Sequence, residues 1–317
     1  MSIDTTPSRV AVIDVGSNTI KLLVAEANGD KLTSLKTSIE ECRISKGMND
    51  AERLLTDEAI QNACLAIQNL LEIAKEFKPS QIRIVATSAV RDAKNQKAFL
   101  DRTQTLSGHP VVVLSGTEEA ISVGRALSLD SQIPRNSSFI HFDLGGGSLE
   151  YNHISVDKIL KAESMPLGSV RLNQRFVKNP HQSITTEEKS KIGHAVISQF
   201  NQAGIETEND LDLVITGGAS TLLRSMFYRC SFNEVPDTPS IITREMLESV
   251  FEQIDSSNWE KRLENPFLPQ NRADVMPVAL LILMEILDVH KKASYTHSLN
   301  GLRHGVAAEL LNLVKNS

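Results

Sequence analysis

The stretch SSFIHFDLGGGSLEYNHIS, residues 137–155, carries an apolar run that delivers Asp143 into Leu144-Gly145-Gly146-Gly147-Ser148 and then resumes as a second run. Aromatic and β-branched residues broken by glycines and followed by more of the same read as strand, tight turn, strand. The theme has already occurred near the N-terminus. There RVAVID ends on Asp14, Gly16-Ser17-Asn18 breaks the run, and TIKLLVAEA resumes it before Asn28-Gly29-Asp30. Asp14-x-Gly16-Ser17-Asn18 and Asp143-x-Gly145-Gly146-Gly147-Ser148 therefore read as two copies of one device. A lone copy is as readily a plain hairpin as a ligand site; two copies, each with an aspartate at the strand end, weaken the hairpin reading.

Around each copy the pattern alternates between strand and helix. A third strand is expected near Lys31 to Ile44, and apolar positions Ile60, Ala63, Cys64, Ile67, Leu70, Leu71 and Ala74 predict a helix from Thr56 to Phe77 with Thr56 as N-cap. IRIVA, a helix around Asn95 to Leu106, VVVLS and a helix opened by Thr117-Glu118-Glu119 continue the alternation. After the second copy come a long helix near Thr185 to Ala203, the strand LDLVIT with Gly217-Gly218 at its end, several helices to His290, the short strand ASYTHS and a final helix. This predicts an α/β protein whose sheets are covered by helices.

A chain of 317 residues exceeds one ordinary domain, so two domains, each with its own core and with a cleft between them, are expected. No low-complexity linker separates the halves, which predicts a packed hinge. The longest apolar run, Val275 to Leu287, contains Pro277 and Glu285 and reads as a buried helix rather than a membrane span. MSIDTTPSRV shows no charged segment followed by an apolar one, so the cytoplasm is the expected compartment. Cys42, Cys64 and Cys230 stand far apart, without the spacing of a zinc site or a disulfide framework. A formal net charge of −6 argues against nucleic acid as partner, and a polyanionic substrate would need a local basic lining.

The turns suggest phosphate chemistry. Glycine lets backbone N–H groups approach phosphate oxygens, and Ser17, Asn18 and Ser148 add side-chain donors. Neither GxGxxG nor GxxxxGK[ST] is present. Aspartates repel phosphate, so Asp14 and Asp143 read as holders of Mg²⁺, or as caps of their own turns. In SGTEEA, residues 115–120, two carboxylates open a helix. The helix dipole accounts for one; hydrolysis of a phosphoanhydride needs a carboxylate to deprotonate water. Glu150, two residues past Ser148, is a second candidate for water or metal. Lys21, Arg43, Lys46, Arg91, Arg171 and Arg303 are candidates for the basic lining, with Arg91 preferred because it follows a buried strand. Most such charges on a chain of this size are plain solvated surface.

IDVGSNTIKLLV, ATSAVRDAKN, SGTEEA, FDLGGGSLE, MPLGSVRL, ITGGASTLL and SLNGLRHGV resemble, in order, motifs of the exopolyphosphatase and guanosine pentaphosphate phosphohydrolase (Ppx/GppA) family. That family lies within the actin, hexokinase and Hsp70 superfamily. The resemblance implies two ribonuclease-H-like domains, residues 1–123 and 124–300, with the helix of residues 301–317 packing back on the first. It implies Glu119 as general base, with Glu150 and Arg91 beside it in catalysis. Asp143, Glu150 and Asp14 become the residues for Mg²⁺ or another divalent cation, and Gly16, Ser17, Asn18, Gly145, Gly146, Gly147 and Ser148 the phosphate turns. The short two-domain form and a homodimer are also implied. Three positions depart from the pattern: Lys21 where arginine is frequent, Leu299 where the family carries an acid, and His304 where it carries glutamate.

Exopolyphosphatase activity on linear inorganic polyphosphate is the leading expectation. Hydrolysis of the 5′-terminal phosphate of guanosine pentaphosphate is the close alternative. A non-catalytic actin-like nucleotide switch and a sugar kinase are the readings from other classes. No membrane partner is expected.

Overall fold

The computed structural model describes residues 8–48, 52–134, 137–156, 158–207 and 210–314. The leader reading of the first residues and the last three positions of the terminal helix lie outside them. The chain forms two compact units, Met1–Ile133 with Asn300–Ser317, and Pro134–Leu299. The expected boundary after residue 123 would cut a continuous helix, Gly116–Leu127, whose apolar face packs in the first unit; the division instead follows that helix.

Unit one holds β1 (Arg9–Val15), β2 (Thr19–Asn28), β3 (Lys31–Glu41), α1 (Asp57–Lys75), β4 (Gln81–Ala86), α2 (Ser88–Arg91), α3 (Gln96–Ser107), β5 (Val111–Val113) and α4 (Gly116–Leu127). Unit two holds β6 (Ser138–Leu144), β7 (Leu149–Ser155), β8 (Lys158–Met165), α5 (Ser169–Phe176), α6 (Thr186–Gln202), β9 (Asp212–Thr216), α7 (Gly218–Tyr228), β10 (Ile241–Thr243), α8 (Arg244–Asp255), α9 (Trp259–Leu263), α10 (Met276–Val289) and β11 (Ser294–His297). The last helix, α11 (Leu302–Leu310), belongs to unit one.

Both sheets share one plan. The first runs β3-β2-β1-β4-β5, and the second runs β8-β7-β6-β9-β11 with β10 added at the edge. In each the leading three strands are antiparallel and the next joins parallel. The two copies read in the sequence are thus two ribonuclease-H-like sheets. β8, α5, β10 and the single-turn α2 were not anticipated. β8 is an edge strand with alternating exposure and charge, and α5 is short, so neither shows a long apolar period.

β1 is buried on both faces, which explains its unbroken apolar run. Ala11, Ile13 and Val15 pack with Ile60, Ile67 and Leu70 of α1. Val10 and Val12 pack with Leu23, Ala25, Val85 and with Leu302, Val306 and Leu310 of α11. Glu309 anchors α11 further, accepting from Arg83 Nη1 at 3.0 Å and Arg125 Nη1 at 3.4 Å. In unit two Phe142 stacks on Phe200 and meets Tyr151 edge-on, both at 5.4 Å. Among the described residues no helix is long and apolar enough to cross a membrane; α10 is instead the buried helix expected from its apolar run.

Local capping follows the sequence closely. Thr56 Oγ1 accepts from Ala59 N at 3.1 Å. Thr56→Ala is expected to lower stability by about 1 kcal/mol, measured by denaturant unfolding. At α6, the Glu188 carboxylate accepts from Lys178 N and Thr185 N, both at 2.9 Å. Burial would raise its pKa, but these donors outweigh it and hold the group below the ordinary carboxylate value. A folded pKa below the unfolded one contributes stability above the unfolded value and loses it as pH falls through the folded one. The stability gap between wild type and Glu188→Gln should therefore be largest at neutral pH and shrink below about pH 4.5, as read from thermal midpoints.

Candidate active site

The two turns superpose in their hydrogen bonding. Gly16 N donates to Thr19 O at 3.1 Å, and Gly145 N donates to Ser148 O at the same distance. In register, Asp14 pairs with Lys21 and Asp143 with Glu150. Ser148 is therefore the counterpart of Thr19, Ser17 of Gly146, and Glu150 of Lys21. Ser17 Oγ lies 3.1 Å from Ser88 Oγ at the start of α2.

In both turns the carbonyl oxygens are tied down from behind. Ser45 N and Oγ donate to Ser17 O at 3.2 and 3.0 Å, while Arg43 N donates to Asn18 O at 2.8 Å and Arg43 Nε to Asn18 Oδ1 at 3.0 Å. In unit two, Ser169 N donates to Gly145 O at 3.1 Å, Val170 N to Gly146 O at 2.8 Å, and Arg171 Nε to Gly147 O at 2.7 Å. The N–H groups of Ser17, Asn18, Gly146 and Gly147 have no acceptor among the described residues. A turn whose carbonyls are engaged and whose amides are not has donors to offer an anion. Arg43 and Arg171, expected in the basic lining, hold these turns in shape instead.

Arg91 and Glu119 come together. Arg91 Nη1 donates to Glu119 Oε2 at 2.7 Å and also to Leu114 O at 3.2 Å, and Glu119 is buried near the start of α4. The adjacent Glu118 does different work. Its Oε2 accepts from Ser115 N at 2.8 Å while Ser115 Oγ accepts from Glu118 N at 3.2 Å, a reciprocal cap. The Ser115 hydrogen bonds hold the exposed Glu118 carboxyl below its usual range. The pair read in SGTEEA thus divides into one cap and one buried carboxylate.

The second turn sits above two acids. Asp143 and Glu150 face each other across β6 and β7, and Glu150, almost wholly buried, accepts from Ser164 Oγ at 2.8 Å. Two carboxylates suit a hard cation such as Mg²⁺, which keeps waters and is completed by substrate phosphates. Among the described residues, no group of three His, Cys, Asp or Glu could hold a metal. In the first copy the partner is a lysine. Burial raises the Asp14 pKa, with Lys21 and Arg303 pulling it back, and Oδ1 has no hydrogen-bond partner among the described residues. Asp14 is thus flanked by cations where Asp143 is faced by a second acid.

Arg303 Nη1 donates to Leu22 O at 2.7 Å. His304, the departure in SLNGLRHGV, is the third residue of α11, and its Nδ1 accepts from Gly301 N at 3.2 Å. That is the backward half of a capping box, which glutamate or glutamine makes at the third position of many helices. Burial, and then Arg303, push the His304 pKa down to about 3, which keeps the imidazole neutral and able to accept. A buried polar group not singled out beforehand also lies in unit two. His141 Nε2 is 3.0 Å from Thr216 Oγ1, and Asn152 Nδ2 is 3.1 Å from His141 Nδ1. A histidine inside the apolar run FIHFD was the available signal.

Known proteins resemble this chain over most of its length. A guanosine-5′-triphosphate,3′-diphosphate pyrophosphatase of Vibrio vulnificus is 25% identical over 309 residues, 95% of this chain. The chain spans 59% of the length of that relative. A Haemophilus influenzae protein whose name assigns it provisionally to the exopolyphosphatases is 25% identical over 301 residues, covering 95% of this chain and 91% of its own. An Aquifex aeolicus Ppx/GppA enzyme structure matches with a TM-score of 0.78 at 25% identity, over 96% of this chain and 100% of that one. A Cytophaga hutchinsonii exopolyphosphatase structure shares the fold with a TM-score of 0.87 at 24% identity, over 97% and 99%. The model of the Ppx/GppA phosphatase family matches residues 23–313, a span that begins within β2 and takes in the segments of Glu119, Asp143 and Glu150 and the returning helix α11, and the chain belongs to that family.

Proposed function

We infer that the protein removes the terminal phosphate of linear inorganic polyphosphate by direct attack of water. The observation that carries this reading is the pair of turns with engaged carbonyls and unengaged amides, one in each unit. Backbone amides and hydroxyls recognise a phosphate whatever it is attached to, and a polyphosphate is a chain of such groups. Glu119 takes a proton from the attacking water. The water oxygen bonds to the terminal phosphorus as the bridging P–O bond breaks, and the shortened chain leaves with that bridging oxygen. Arg91 orients the Glu119 carboxylate through its 2.7 Å bond. We assign Mg²⁺ to Asp143 and Glu150, where it would neutralise phosphate charge. Asp14, between Lys21 and Arg303, is assigned instead to the support of its own turn.

Guanosine pentaphosphate is the second reading, favoured by the Vibrio relative, since its 5′-terminal phosphate is also held by an anhydride. Purified protein with Mg²⁺, offered short polyphosphate, long polyphosphate and guanosine pentaphosphate in parallel, separates the two by released phosphate. Faster release from polyphosphate is expected. Release from guanosine pentaphosphate alone would move the assignment to the nucleotide, and no release from any of the three would remove the hydrolase reading.

A further inference from the structure

We propose that His141, Asn152 and Thr216 are positioning residues for the Asp143–Glu150 pair, forming a hydrogen-bonded floor that holds the two carboxylates in place for a divalent cation. The proposal rests on the reading that this pair holds the cation. Its basis is a comparison of the two sheets, position by position. In unit one Val12 faces Leu23, two residues along from Asp14 and Lys21, and Val85 stands beside Asp14 on β4. In unit two His141 faces Asn152, two residues along from Asp143 and Glu150, and Thr216 stands beside Asp143 on β9. The same three places are apolar under the aspartate–lysine pair and polar under the paired acids. All six residues are buried to the same degree, at 0 or 1% exposure.

The fold itself does not demand the polar set, because unit one builds the same sheet on valine and leucine. Burying three polar side chains is tolerable only with hydrogen bonds to satisfy them, and replacing all the partners together by apolar groups of the same shape can be nearly neutral. The Asn152 amide nitrogen can only donate, so His141 Nδ1 accepts and Nε2–H donates to Thr216 Oγ1. The chain of bonds therefore runs in one direction across β7, β6 and β9 and fixes the Thr216 hydroxyl. Thr216 leads into Gly217, which lies so close to Asp143 that a Cβ there would be 3.1 Å from Oδ1. Three strands and the turn against Asp143 are thus held in one register. Groups that orient the ligands of a metal commonly change affinity by about 10- to 100-fold when removed.

The test uses Mn²⁺ alone as the probe, with free ion followed by its paramagnetic resonance signal. Thr216→Val keeps the shape and removes the hydroxyl, and Thr216→Ser keeps the hydroxyl. Thr216→Val is expected to weaken Mn²⁺ binding about tenfold and Thr216→Ser to leave it near wild type. The combined His141→Val, Asn152→Leu, Thr216→Val variant, built from the residues of unit one, is expected to keep a cooperative thermal transition while binding Mn²⁺ more weakly. Folded Thr216→Val with wild-type affinity would overturn the positioning role and leave the cation assignment standing. Wild-type protein that binds no Mn²⁺ would overturn both.

Discussion

Glu119→Gln is expected to lower phosphate release by about a hundred- to ten-thousand-fold, the range over which a positioned general base contributes. Glutamine keeps the size of the side chain and can still accept from Arg91, so the local packing survives. What it lacks is the capacity to take a proton from water. The neighbouring Glu118→Gln serves as the internal control, since that carboxylate is spent on Ser115 at the start of α4. Its replacement should leave the rate within a few-fold and cost about 1 kcal/mol of stability through a weakened cap. The measurement is initial phosphate release at saturating substrate, with thermal midpoints taken in parallel. Equal losses in both variants would mean that the helix start, rather than one carboxylate, is what matters.

Gly305→Ala is expected to destabilise unit one strongly. A Cβ at that position would lie 1.7 Å from Ser122 O, so α11 can no longer lie against α4 at its native distance. The contact is between backbones, and no side-chain rotation relieves it. Moving α11 away loosens Leu302, Val306 and Leu310 from Val10, Val12 and Leu23, and draws Glu309 from Arg83 and Arg125. Overpacking of this kind costs about 3 kcal/mol, a fall in thermal midpoint of roughly 6–12 °C for a unit of this size. Arg303, on the same helix, would shift away from Leu22 and Asp14, so activity should fall along with stability. A midpoint unchanged from wild type would show that the two helices do not meet at this distance.

Residues acting on near neighbours in the chain were legible. Thr56 and its helix, the apolar run of α10, and the strand–turn–strand units around Asp14 and Asp143 all follow from periodicity and turn chemistry. Their determinants lie within a few residues of one another. Glu119, Arg91, Asp143, Glu150 and both turns could be named as candidates from the sequence, but not the contacts each of them makes. Glu118 and Glu119 are indistinguishable as text, and Arg43 and Arg171 look like any other surface cations. Which of them caps a helix, braces a turn or pairs with an acid depends on a partner such as Ser115, Asn18 or Gly147 meeting it in space.

The sequence by itself determined that an aspartate ends each central strand and that a small-residue turn follows, because alternation and turn residues act locally. It also determined the doubling of that unit, since both copies are written out. Only the tertiary structure decided that Lys21 and Glu150 occupy one equivalent position, that Val12, Leu23 and Val85 correspond to His141, Asn152 and Thr216, and that His304 caps α11. Each of those facts is a matter of strand register or helix entry. Register joins residues through backbone hydrogen bonds between separate strands, and those bonds carry no signature in the identity of either residue alone.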